Sequence, residues 1–95
     1  MNSNERNDLM DLAEVPVGGR VYVTSIRGSG SVRGRIMAMG LVPGTAVEVL
    51  RRAPMGDPLE ISVKGYNLSL RAVEAAMVSV SLDPPRRPEP GRIGE

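Results

Sequence analysis

The 95-residue chain contains no cysteine, histidine, tryptophan or phenylalanine. Without cysteine there is no disulfide, no thiolate metal ligand and no cysteine nucleophile. Without histidine, the commonest general base and the commonest transition-metal ligand are both absent. We therefore expect no catalytic residues, no cofactor and no metal-binding residues in this protein.

The chain also lacks a long apolar run and a large excess of charge of one sign. No segment approaches the roughly 18 apolar residues of a membrane span, and the N-terminus lacks the apolar segment of a signal peptide. We expect a cytoplasmic protein with no direct membrane insertion. The formal net charge is +1, and Tyr22 and Tyr66 are the only aromatic residues on which bases could stack. Nucleic-acid binding is not expected, because such domains are usually strongly basic.

Residues 31–45 are predicted to begin as the one helix of the fold. Val32, Ile36 and Met39 recur at the i, i+4, i+7 spacing that places side chains on one helix face. Ser31 is predicted to cap the start of the helix, and Gly40 to end it in a left-handed conformation. The predicted structural core of this stretch comprises Val32, Ile36, Met39, Gly40, Leu41, Pro43 and Gly44.

Alternating apolar and polar residues predict five strands, at residues 21–26, 45–52, 59–64, 67–71 and 77–82. Residues 9–13 and 72–76 are each predicted to form one turn of helix. The polar residues 1–8 are expected to be a flexible leader, and the proline-rich residues 83–95 a disordered tail. Residues 9–82 then form one all-β domain, a small closed or nearly closed barrel with a short helix after its first strand.

Three motifs resemble a known family. The first joins the helix to the next strand, the second is a turn between strands, and the third precedes the last strand. They read Arg35-Ile36, Met39-Gly40-Leu41 and Pro43-Gly44; then Ala53-Pro54-Met55-Gly56-Asp57-Pro58; then Leu68-Ser69-Leu70-Arg71 with Glu74-Ala75. In this order and spacing, over about residues 9–82, the chain resembles the FeoA family.

The resemblance implies an SH3-like β-barrel and a small cytoplasmic accessory protein of bacterial ferrous-iron uptake. The partner that it implies is FeoB, a large membrane transporter with a cytoplasmic GTP-binding domain. We therefore expect a non-catalytic module that binds this part of FeoB and modulates transport. A similar fold occurs in iron-dependent repressors, so the alternative is a stand-alone regulatory domain that partners a metal-dependent repressor. Weak self-association also stays open.

Two features invite a ligand-binding interpretation that the residues do not favour. The glycine-rich link at residues 28–34 does not have the dinucleotide-binding spacing, and the chain is too short for a doubly wound sheet. Asp57 and Glu60 are close in sequence, but ferrous iron prefers imidazole with carboxylate. We expect the Asp57 side chain to bind its own local backbone in a turn.

The best functional candidate is an exposed surface. Met37, Val42 and Met55 lie near the helix end or at a turn, where full burial is difficult in a small domain. Methionine adapts well to partner surfaces, and exposed apolar patches often mark interaction sites. Together with Arg35 on the helix, these residues are the candidate partner-binding set. The alternative is that Met37, Val42 and Met55 complete the barrel and that Arg35 only solvates the helix face.

Overall fold

The computed structural model describes residues 10–84, so the predicted leader and the predicted tail from residue 85 onward lie outside the described residues. Within this range, six strands, one 3₁₀ turn and two helices follow one another. They are β1 (Met10–Asp11), the 3₁₀ turn (Leu12–Glu14), β2 (Arg20–Ile26), α1 (Gly30–Ala38), β3 (Ala46–Arg52), β4 (Leu59–Val63), β5 (Tyr66–Leu70), α2 (Ala72–Ala75) and β6 (Val78–Ser81). The predicted mainly-β fold with one short helix early in the chain is confirmed, although the helix follows the second strand, because the unpredicted β1 precedes the strand that was expected to be first.

The strands form one antiparallel sheet in the order β1-β6-β2-β3-β4-β5. Within residues 10–84 no hydrogen-bonded pairing joins β1 to β5, so the sheet is open rather than closed. The predicted helical turn at residues 9–13 is wrong at its start. Met10 and Asp11 pair with Val80 and Ser79 as an additional sixth strand, because the edge of β6 offers them backbone partners.

The core lies on the inner face of the sheet. Val47 is opposite Val63, and Val49 is opposite Ile61, and all four side chains are buried. Burying each such side chain contributes about 1.5–3 kcal/mol relative to exposure. A one-residue slip would turn the whole set outward, so this burial fixes the register. The complete apolar core of the described residues is Leu12, Val15, Val21, Val23, Ile26, Ile36, Leu41, Val47, Val49, Leu59, Ile61, Val63, Leu70, Ala75, Val78 and Val80.

Helix α1 packs onto this core through the predicted face. Ile36 is fully buried, and Val32 and Met39 are half-buried against the core. The predicted cap at Ser31 is wrong. The N-cap is Ser29, which has an extended backbone and makes no side-chain cap hydrogen bond, so the helix begins two residues earlier than expected.

The two ends of α1 are attached to different parts of the sheet. Gly40 follows the helix at φ 101, the left-handed conformation predicted for it. The hydroxyl of Tyr66, at the start of β5, donates a 3.0 Å hydrogen bond to the carbonyl of Met39. Near the other end, Arg33 Nε donates to the carbonyl of Ile26 at 3.4 Å. The helix therefore bridges β2 and β5, which are not neighbours in the sheet.

A two-residue turn joins β4 to β5. Val63 pairs with Tyr66, and between them Lys64 and Gly65 both have positive φ, at 49° and 87°. Positive φ at both central residues defines a type I′ turn, whose twist matches that of the flanking strands.

Candidate partner-binding surface

The four predicted partner-binding residues differ in exposure. Met55 is 88% exposed at the turn between β3 and β4, and Arg35 is exposed on α1. Met37 and Val42 are half-buried, and Met37 packs against the core. Met55 and Arg35 are thus the more accessible side chains of the four, whereas Met37 contributes in part to the core.

The same four residues do not form one patch. Val42 precedes β3 in the chain and Met55 follows it, so they lie at opposite ends of this seven-residue strand. At about 3.3 Å per residue, the strand separates them by roughly 20 Å. The structure therefore offers two separate places for contact, one at each end of β3.

Two residues of the predicted core, in the loop between α1 and β3, are not buried. Leu41 is fully buried, but Pro43 and Gly44 are exposed. The loop turns tightly here, and its backbone rather than its side chains faces the sheet. The amide of Gly44 donates a 2.7 Å hydrogen bond to the carbonyl of Val23 in β2.

Three distant segments meet at the short helix α2. Asp57, from the turn after β3, accepts a 2.9 Å hydrogen bond at Oδ1 from the amide of Ala72. Glu74 accepts one from the amide of Arg71 at Oε1 (2.9 Å) and one from Arg35 Nη2 at Oε2 (3.1 Å). The predicted local turn at Asp57 is wrong, because its carboxylate binds backbone 15 residues further along the chain. The three motifs of the sequence thus converge on α2.

The C-terminal end of α2 is held by a fourth segment. Arg27, just after β2, donates from Nη2 to the carbonyl of Ala76 and, at 2.6 Å, to Oδ1 of Asp11. Because side chains from other elements contact both of its ends, α2 is fixed on the domain despite being only four residues long.

The inner and outer faces of α2 differ in polarity. Ala75 is fully buried and Glu74 is 9% exposed, whereas Val73 is 65% exposed. The sequence prediction of a helical turn at residues 72–76 did not identify Val73 as a surface residue. A single turn has too few residues to show a period, so only its packing reveals which side faces solvent.

The ion pairs around α2 place arginine outward and carboxylate inward. The side chain of Arg35 is 58% exposed, and that of its partner Glu74 is 12% exposed. Arg71 is 69% exposed, and Asp57, at 3.8 Å from its Nε, is 38% exposed. Solvent beside α2 therefore meets guanidinium groups more than carboxylates.

The described residues contain no candidate metal site and no unpaired buried polar side chain. Within residues 10–84, no group of three or more His, Cys, Asp or Glu side chains could hold a metal ion. Every buried side-chain nitrogen and oxygen in that range has a hydrogen-bond partner. None of the helices described is long and apolar enough to cross a membrane. The exposed side chains beside α2 offer a ligand apolar surface and guanidinium N–H donors.

Comparison with known sequences places the chain beside iron-transport proteins. A family model described as the FeoA domain matches residues 10–82. The Fe(2+) transport protein A/Fe(2+) transporter FeoB fusion protein of Porphyromonas gingivalis is 37% identical over 73 residues, which are 77% of this chain. The matched part is 9% of that fusion protein, so the chain spans less than a tenth of its length.

Solved structures share the fold. The FeoA-like protein from Clostridium acetobutylicum is 36% identical, with a TM-score of 0.75 over 86% of this chain and 95% of that one. Stenotrophomonas maltophilia FeoA, a procaryotic SH3 domain protein solved as a zinc complex, is 29% identical, with a TM-score of 0.68 over 76% of this chain and 89% of that one. A manganese-dependent transcriptional repressor has a TM-score of 0.70 at 16% identity, over 76% of this chain and 35% of that one, which shows a common fold alone.

These likenesses confirm the SH3-like fold that the motifs implied. The family match covers all six strands and both helices, including the residues that converge on α2. The chain therefore belongs to the FeoA domain family, a family of SH3-like domains associated with ferrous-iron transport.

Proposed function

We propose that this chain is a non-catalytic interaction module of ferrous-iron uptake. It binds the cytoplasmic GTP-binding region of a FeoB-type transporter and modulates transport from the cytoplasm. One observation supports this most: in the Porphyromonas gingivalis relative, transport protein A and transporter FeoB are parts of one fusion protein. Covalent joining of two domains is a common arrangement for partners that act together.

The module acts by binding one state of its partner better than another. A ligand shifts a conformational equilibrium only by its difference in affinity between the two states. A tenfold preference for one nucleotide state would shift that equilibrium by about 1.4 kcal/mol. This mechanism requires no reacting group, which agrees with a chain that has no cysteine or histidine.

Calorimetry with the purified cytoplasmic region of the transporter tests the proposal. We expect saturable binding, with a different Kd for the nucleotide-free, GDP-bound and GTP-analogue-bound forms. Absence of binding in all three states, together with no binding to the full-length transporter, would contradict it. Co-purification with a metal-dependent repressor instead of the transporter would support the alternative function.

A matched pair of variants tests the contact residues. Met55→Ala should weaken binding, because Met55 is the most exposed large apolar side chain of the described residues. Val17→Ala removes an apolar side chain that is 56% exposed on a different turn, and should leave binding unchanged. Equal effects of both variants would argue against a contact at Met55.

A further inference from the structure

We propose that the surface around α2 docks an acidic segment of a protein partner that also carries an apolar side chain. This surface, the α2 face, consists of Met55, Val73, Arg35 and Arg71. The inference deepens the proposed function and relies on it for the choice of partner in the test below. It adds where the contact lies and which chemistry the partner must present.

The apolar part of the α2 face is formed by two side chains on adjoining elements. Met55 and Val73, at 88% and 65%, are the most exposed large apolar side chains within residues 10–84. Their elements are joined directly, because Asp57, two residues after Met55, accepts a hydrogen bond from the amide of Ala72, next to Val73. A partner covering both side chains would remove from water apolar surface that the domain itself leaves exposed.

The charged part of the α2 face favours carboxylates. The carboxylates of Asp57 and Glu74 already accept backbone amide hydrogen bonds, and they lie deeper than the arginines beside them. A guanidinium group has five N–H donors, whereas the hydrogen bond from Arg35 to Glu74 uses one nitrogen, Nη2. The remaining donors of these exposed groups can bind a partner carboxylate in the bidentate geometry that arginine favours.

The composition of the face points to a protein rather than to a polyanion. Methionine and arginine are enriched in protein–protein interfaces. Nucleic acids and anionic membranes require a strong excess of positive charge, whereas the two arginines here are balanced by Asp57 and Glu74. An acidic protein segment with one apolar anchor therefore fits best.

Arg71→Glu and Val73→Ser test the two parts of the face in calorimetry with the transporter's cytoplasmic GTP-binding region. Both side chains are exposed, so both variants should fold, which a thermal melt checks. The matched controls are Lys64→Glu, with the same change of charge on the β4–β5 turn, and Leu82→Ser, an apolar residue 53% exposed after β6. We expect each face variant to raise Kd about tenfold and each control to change it by less than about twofold.

The outcomes separate this inference from the proposed function. Wild-type protein that does not bind would contradict the proposed function itself. Wild-type binding that Arg71→Glu leaves unchanged or tightens, or that the controls weaken equally, would overturn the α2 face and leave the function standing. Binding of the wild type should also weaken as salt is raised from 50 to 300 mM, since screening acts on exposed charges. Binding that strengthens with salt would overturn the acidic character of the partner.

Discussion

Arg35 of α1 and Glu74 of α2, 39 residues apart in the chain, share a hydrogen-bonded ion pair with 3.1 Å between Nη2 and Oε2. The other carboxylate oxygen of Glu74 accepts a hydrogen bond from the amide of Arg71 at the start of α2. One side chain therefore fixes both the beginning of α2 and its attachment to α1.

Glu74→Ala should consequently destabilise the domain by about 1–3 kcal/mol. The substitution removes a nearly buried carboxylate, so the amide of Arg71 and the guanidinium of Arg35 lose their hydrogen-bond acceptor. Glu60→Ala is the control. The side chain of Glu60 is 42% exposed and pairs with Arg51, and such surface pairs contribute about 0–1 kcal/mol. Urea denaturation measures both free energies of unfolding. Equal losses for the two variants would contradict a structural role for Glu74.

The buried side chain of Ile36 holds α1 on the sheet. Ile36→Ala should reduce the free energy of unfolding by about 2–5 kcal/mol, and Ile36→Val by about 0.5–1.5 kcal/mol. The milder variant Ile36→Val is included because the total free energy of unfolding of a domain of this size is roughly 3–5 kcal/mol, and the loss in Ile36→Ala approaches that total. Met55→Ala, on an exposed turn, should leave the melting temperature nearly unchanged. Reversal of this order would mean that α1 packs through a different face.

Gly40 is constrained by its backbone and by a neighbouring side chain. Its φ is 101°, and a β-carbon there would lie 2.9 Å from the hydroxyl oxygen of Tyr66. Gly56, at φ 87°, has nothing within 4 Å of the same position. Gly40→Ala should therefore be more destabilising than Gly56→Ala. The loss in Gly56→Ala should come only from the strained backbone conformation, which costs roughly 1 kcal/mol.

A double variant separates the steric part of this effect. Tyr66→Phe removes the hydroxyl, so Gly40→Ala should lose less stability in the Tyr66→Phe background than in the wild type. Thermal unfolding of the four proteins gives the coupling free energy. Additive losses would show that the hydroxyl moves aside without cost.

Lys64 occupies a conformation that suits other residues better. Its φ of 49° is the first central position of the type I′ turn, where asparagine is strongly preferred. Lys64→Asn should raise the free energy of unfolding by a few tenths to about 1 kcal/mol. Gly65→Asn, at φ 87°, should instead lower it. Denaturant melts of the two variants check the signs, and a loss of stability in Lys64→Asn would contradict the turn assignment.

The sequence predicted those parts of the fold that local patterns determine. The alternation of Leu59, Ile61 and Val63 matches β4, because one buried face imposes a period of two. Ile36 and Leu41 are buried as expected, and Gly40 ends the helix as expected. Each of these depends on residues close together in the chain.

Contacts between distant segments could not be predicted in the same way. Met10 and Asp11 form β1 only because β6, 68 or more residues later, has an edge that they can pair with. Asp57 could bind its own turn or a remote amide, and only the folded position of Ala72 decides between them. The exposure of Val73 likewise depends on which side of α2 the core covers.

The pairing of β1 with β6 has a consequence for how the domain can be joined to larger proteins. Met10 lies opposite Val80, so the polypeptide enters and leaves the folded unit at adjacent points. A linker attached before β1 or after β6 therefore starts from the same part of the sheet. A tethered copy and a free copy of this domain can thus present the same contact residues without any change in the pairing of the strands.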